Sequence, residues 1–186
     1  MTADNKDVDE PIIRTIGHST RPVDALIAML NGYGVKRLID VRTIPKSRHN
    51  PQYSREALES SLRDAGIAYE HMSALGGLRP PRKDSPNTGW RNASFRGYAD
   101  YMQTPEFAAA LETLIAAAAQ EPVAIMCAEA VPWRCHRSLI SDSLAARGYP
   151  VEHIMSATKS HPHTITPFAK VSGASITYPA EQQNAT

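Results

Sequence analysis

Cysteine is scarce in this chain: there are two, Cys127 and Cys135, among 186 residues. That is too few for the dense disulfide framework of a small secreted domain. A basic-then-apolar leader is also missing, so the expectation is a cytoplasmic protein with free thiols. Long apolar runs are absent. The stretch from Phe107 to Ala119 is interrupted by Glu112 and Thr113 and falls short of the ~20 residues a spanning helix needs, which predicts no membrane span. Neither sign of charge is in excess, because the formal net charge is +1. Partners must therefore be argued from local patches.

What is present suits a folded chain. Hydrophobic residues make up 42% and charged residues 21%, which is ordinary for a globular protein. The length fits one domain. Residues 1–10, with Asp4, Asp7, Asp9 and Glu10, and residues 172–186 are polar and are expected to be tails. Residues 11–171 are expected to form the domain.

Between the tails, short β-branched or apolar runs alternate with helical patterns, as in βαβ units. Strands are expected at Ile12–Ile16, Arg37–Val41, Ile67–Met72, Pro122–Met126 and Val151–Met155. Helical spacing appears in Val23, Leu26, Ile27 and Leu30, and again in Leu58, Leu62 and Ala65 after Ser54 as an N-cap. A third helix should begin at Thr104 and Pro105, and a fourth should run from about His136 to Arg147 with Gly148 as its stop. The fold class is then α/β, a single domain with a mostly parallel sheet of about five strands flanked by helices. Leu78 to Gly97 has no apolar period but holds Pro80, Pro81, Pro86, Gly89 and Gly97. It reads as a long loop and a candidate lid.

In an open parallel sheet, ligands bind at the carboxyl ends of the strands. The residues expected there are Gly17, His18, Ser19, Thr20, Arg42, Ser73, Cys127, Ala128 and Glu129. One cavity should gather His18, Arg42, Cys127, Glu129 and His136. The densest segment is Met126 to Ser138, where a strand ends, a short loop follows and a helix begins. Cys127 there is the candidate nucleophile, since helix-terminal N–H groups and Arg134, Arg137 and His136 favour a thiolate. The alternative is a buried thiol that merely packs. Glu129 is a candidate acid or base or an ion-pair partner. His18 and His136 are placed for proton transfer, whereas His161 and His163 are expected to be solvated. Cys127, Cys135, His136 and His18 match no standard zinc spacing, so neither metal nor cofactor is implied.

Basic residues form a second feature. Arg42, Lys46, Arg48 and Arg55 occur with no acidic residue between them, and the long loop adds Arg79, Arg82, Lys83, Arg91 and Arg96. Tyr53, Trp90 and Phe95 are interleaved, a pattern that can hold phosphates and stack bases. A solvated basic surface is the alternative.

The words Thr15-Ile-Gly-His-Ser19, Leu38-Ile-Asp-Val-Arg42, Tyr98-Ala-Asp-Tyr-Met102, Met126-Cys-Ala-Glu129 and Cys135-His-Arg-Ser138 together resemble the family called domain of unknown function 488. The resemblance spans about Ile12 to Ser156. It implies an α/β fold and points to Gly17, His18, Ser19, Asp40, Arg42, Tyr98, Cys127, Glu129, Cys135, His136 and Arg137. The order of Leu38 to Arg42, Cys127 and the following helix is also similar to rhodanese-type sulfurtransferases and related phosphatases. Those enzymes use a Cys-x5-Arg-like cradle, whereas six residues separate Cys127 from Arg134 here, and Pro132 lacks an N–H.

The functional expectation is a Cys-dependent transferase or hydrolase acting on a phosphate- or sulfur-bearing anion. Its catalytic residues would be Cys127, Glu129, His136 and His18. Its binding residues would be Ser19, Arg42, Arg48, Tyr98, Arg134, Cys135 and Arg137. The alternative is a non-catalytic nucleotide or nucleic-acid binding module.

Overall fold

The computed structural model describes residues 9–181. β1 (Ile13–Gly17), β2 (Arg37–Asp40), β3 (Ala68–His71), β4 (Val123–Cys127) and β5 (Val151–Ile154) are the expected strands, each within a residue or two of its expected bounds. They pair in parallel in the order β3-β2-β4-β1-β5, and a short β6 (Ser160–Pro162) adds an antiparallel edge beside β5.

Alternation along the strands explains the layers. In β4, Val123, Ile125 and Cys127 face one core, and Ala124 and Met126 face the other. Helices α1 (Val23–Gly32) and α2 (Arg55–Asp64) cover the second core with Leu26, Met29, Leu30, Leu58 and Leu62. Helices α3 (Ala93–Tyr101), α4 (Pro105–Gln120) and α5 (Arg137–Ala146) cover the first with Tyr98, Phe107, Leu111, Leu114, Leu139 and Ile140. A parallel sheet covered on both faces needs apolar residues on both sides of its inner strands, which β4 supplies by being buried at all five positions.

Three expectations are corrected. Helix α3 lies inside the segment read partly as loop. Asn92 caps it, its side-chain carbonyl accepting from the N–H groups of Ser94 (2.8 Å) and Phe95 (3.3 Å). Gly97 sits within that helix because an added Cβ would lie 1.9 Å from the Arg79 carbonyl oxygen. At α2, Ser54 holds the N-cap position, but its hydroxyl makes no capping bond.

The residues from 172 onward are not all a tail. Ser175–Thr177 forms β8 against β7 (Lys170–Ser172), Ile176 is buried, and Tyr178 is wholly buried. Apolar side chains in that short run find the α5 face. Residues 1–8 and 182–186 lie outside the described residues, while Asp9 and Glu10 are exposed.

Candidate active site

The connection leaving β2 runs outward to β3, whereas the one leaving neighbouring β4 runs the other way, past β1 to β5. Divergent connections from adjacent parallel strands leave a crevice at their carboxyl ends. A cavity of about 410 Å³ occupies that place. Arg42, Thr43, Ile44 and Lys46 line it from the β2 side, and Cys127, Ala128 and Glu129 from β4. The start of α5 contributes Arg134, Cys135 and His136, and Gly77, Leu78, Phe95 and Tyr98 close the far wall.

At the inner end are the two thiols, with Sγ atoms 2.6 Å apart. Cys127 is 3% exposed and Cys135 8%. Arg137 lies behind them rather than on the cavity wall. Its Nε donates to the Cys127 Sγ at 2.9 Å, and its backbone N–H donates to the Cys135 Sγ at 3.5 Å. The rest of its guanidinium donates to the Thr15 hydroxyl and to the carbonyls of Glu129 and Ala130, which fixes the loop between β4 and α5. The loop comes so close to β1 that a Cβ at Gly17 would sit 1.9 Å from the Glu129 carbonyl oxygen.

The two thiols differ electrostatically. Burial pushes Cys127 well above the usual thiol value, and its hydrogen bond to Cys135 reinforces this. Cys135 is pushed down to about 7, first by the hydrogen bond it accepts from Cys127 and then, against burial, by the charge and amide N–H of Arg137. The first proton to leave the pair therefore leaves a thiolate on Cys135 that the Cys127 thiol solvates.

His136 is oriented toward that sulfur. Its Nε2 lies 2.9 Å from the Val41 carbonyl, which can only accept, so Nε2 carries the proton. Nδ1 is left with a lone pair 3.6 Å from the Cys135 Sγ. Burial holds the ring below the ordinary histidine pKa, so it is a neutral base facing a thiol.

The remaining expected residues separate into groups. Arg42 reaches the wall but is 7% exposed, and it forks onto Asp40 with bonds of 2.9 and 2.7 Å. Burial opposes its charge, and Asp40 more than restores it. His18 does not line the thiol cavity. With Ser19 it lines an adjoining cleft that shares Lys46, Ala128 and Glu129 with the main one. Its Nδ1 donates to the Ser19 carbonyl, its Nε2 faces Arg42 at 3.4 Å, and its ring stacks on Tyr53. Burial lowers its pKa, so a neutral His18 orients Arg42. Tyr98 is buried on the wall with its hydroxyl donating to the Leu75 carbonyl, so it supports the His136 ring 5.1 Å away. Glu129 and Arg134 are exposed at the cavity mouth. Arg48 is exposed and lines neither space.

Two aromatic expectations change. Tyr53 is fully buried, and half-buried Trp90 packs against Phe95, Phe168 and Tyr178, so neither ring lines the thiol cavity. The expected lid is pinned: Asp100 accepts from the Arg82 N–H and the Asn87 side chain, both at 2.8 Å. Only its ends, Leu78 and Ser94–Phe95, meet the cavity.

Sequence reasoning missed a buried chain behind the thiols. His163, expected in solvent, donates from Nε2 to Asp142 at 2.7 Å, and its Nδ1 lies 2.9 Å from His153 Nε2. His153 Nδ1 lies 2.7 Å from the Thr15 hydroxyl, which Arg137 also contacts. Tyr178 and Thr166 donate their hydroxyls to Asp142. His153 shares the buried face of β5 with Val151, and a histidine on a core face is itself a signal that partners are waiting. Among the described residues no three His, Cys, Asp or Glu side chains are grouped to hold a metal ion.

No curated protein and no solved structure matches the chain. A family model does match it, over residues 22–144, and so takes in β2, β4, both cysteines and most of α5. The chain belongs to that family, described as Domain of unknown function DUF488.

Proposed function

We propose that this protein is a thiol-dependent transferase or hydrolase acting on a phosphate- or sulfur-bearing anion, with Cys135 as its nucleophile. The observation that carries the reading is the pair of touching thiols, backed by Arg137, with the His136 lone pair aimed at Cys135. In this reading Cys127, the nucleophile suggested by the sequence, becomes the donor that stabilises the thiolate.

The Cys135 sulfur attacks the electrophilic phosphorus or sulfur of the substrate, whose bond to the leaving group breaks with its electron pair going to that group. An acceptor or water then takes the held group and frees Cys135, and His136 Nδ1 takes the thiol proton when Cys135 starts protonated. Lys46 and Arg134 are the cations on the cavity wall without a carboxylate partner among the described residues, and they attract the anion. Ile44, Leu78 and Phe95 offer an apolar wall to the rest of the substrate. Of the two partner classes, we retain the small anion, because Tyr53 is wholly buried and half-buried Trp90 packs among Phe95, Phe168 and Tyr178 without lining the cavity.

Alkylation by iodoacetamide, located by peptide mass spectrometry across pH 5–9, tests the reading. Cys135 is expected to react at neutral pH with a midpoint near 7, and His136→Gln is expected to slow it. Modification confined to Cys127, or no modification at pH 7 of a chain that reacts when unfolded, would refute it.

A further inference from the structure

We propose that Cys127 and Cys135 form a dithiol–disulfide couple that a small hydroperoxide closes and a thiol reductant opens. The proposal rests on the reading of Cys135 as the thiolate and adds a chemistry that substrate turnover does not require. A lone nucleophile needs no second sulfur, yet here a second thiol touches the first. Forming the bond requires the sulfurs to approach by only about 0.5 Å, to the ~2.05 Å of a disulfide.

Access selects the oxidant. Both sulfurs lie at the inner end of the cavity with less than a tenth of either residue exposed. A hydroperoxide or a compact reducing thiol reaches them, whereas a bulky peptide or protein disulfide, which must present its own sulfur in line, is excluded.

The chemistry proceeds in two steps. The Cys135 thiolate attacks the terminal peroxide oxygen, the O–O bond breaks, hydroxide (from hydrogen peroxide) or alkoxide (from an alkyl hydroperoxide) leaves, and Cys135 becomes a sulfenic acid. The Cys127 thiol, already in contact, attacks that sulfur; the S–S bond forms, the S–O bond breaks, and the hydroxyl departs as water with the Cys127 proton. Two electrons pass from the dithiol to the peroxide. A reducing thiol reverses the closure by two exchanges and is itself oxidised to its disulfide. Contact between the sulfurs makes the second step faster than over-oxidation, so the pair protects the nucleophile while silencing it.

The test is intact-mass spectrometry of the full chain after hydrogen peroxide, with iodoacetamide labelling in parallel. Expected are a loss of about 2 Da for the two departing hydrogens, loss of labelling at Cys135, and recovery of both with dithiothreitol. In Cys127→Ser, a sulfenic acid should accumulate at Cys135 and be trapped by dimedone. A wild-type chain that labels rapidly at Cys135 but gains oxygen under peroxide without losing hydrogens overturns the couple and leaves the proposed function standing. A wild-type chain that neither labels nor closes overturns both. Closure by oxidised glutathione at the same rate as by peroxide overturns the selection by access.

Discussion

Acidification from pH 7 to pH 4.5 should weaken this fold, with His153 responsible for a calculable share. The ends of the buried chain are fixed: Arg137 donates to the Thr15 hydroxyl, and His163 Nε2 donates to Asp142. Between them His153 Nδ1 pairs with the Thr15 hydroxyl and its Nε2 with His163 Nδ1, contacts that a neutral imidazole, one nitrogen donating and the other accepting, satisfies in either tautomer. Burial first, and then the electrostatic influence of His163, Arg137 and His161, depress its pKa from 6.5 to about 3, against the pull of Asp142.

A histidine held down in the folded state contributes fully above the unfolded value of 6.5. Its contribution is lost as pH falls toward the folded value, because only the unfolded chain takes up the proton. At pH 4.5 the unfolded ring is two pH steps below its midpoint while the folded ring is still neutral. At about 1.36 kcal/mol for each step, less the small loss already present at pH 7, the share is about 2.5 kcal/mol. Urea unfolding, followed by the fluorescence of Trp90 and Trp133, measures it at both pH values. His18 and His136 are also held down by burial and add to the wild-type loss, so the decisive quantity is a difference. His153→Gln should lose about 2.5 kcal/mol less than wild type over this interval, whatever it costs at pH 7. An equal loss in both chains would refute the reasoning, since the chain would then not depend on a neutral His153.

Two further substitutions probe the frame of the site. Gly17→Ala forces a Cβ into the Glu129 carbonyl, so it should cost roughly 1–3 kcal/mol or more in urea unfolding and also slow alkylation of Cys135 by displacing the loop between β4 and α5 that carries it. Tyr178→Phe removes the hydroxyl that donates to Asp142 at 2.7 Å and should cost about 1–3 kcal/mol, with alkylation at neutral pH largely retained.

The five main strands were legible because each is a short apolar run closed by a breaker, and the strand-end rule then brought Arg42, Cys127 and Glu129 to one crevice. Helix α3 was not legible, because Gly97 reads as a loop residue. Only the Arg79 backbone, pressed against it in three dimensions, explains a glycine inside a helix. Ile176 and Tyr178 were hidden by their polar neighbours, and period alone cannot register an anchor of two side chains. The split between the thiols was beyond the sequence for a different reason. Helix-terminal and cationic neighbours favour a thiolate on either cysteine, and the choice depends on which sulfur is buried more deeply and which accepts the shared proton.

The cations of the site divide their work in a way that residue type alone cannot reveal. Arginine is suited to gripping an anionic substrate because its planar fork matches two acceptors at once. Yet the fork of Arg42 is closed on Asp40, and every nitrogen of the Arg137 guanidinium is engaged by Cys127, Thr15 or the carbonyls of the loop. Neither can grip a ligand without first giving up a buried bond, which leaves a desolvated partner unpaired. Arg137 therefore serves the sulfurs, and Arg42 holds the end of β2 in shape. On the proposed reading, attraction of an incoming anion would fall to exposed Lys46 and Arg134, whose charges are open to solvent and screened by salt. It follows that ionic strength should act on substrate capture at the cavity mouth far more than on the reactivity of Cys135 at its inner end.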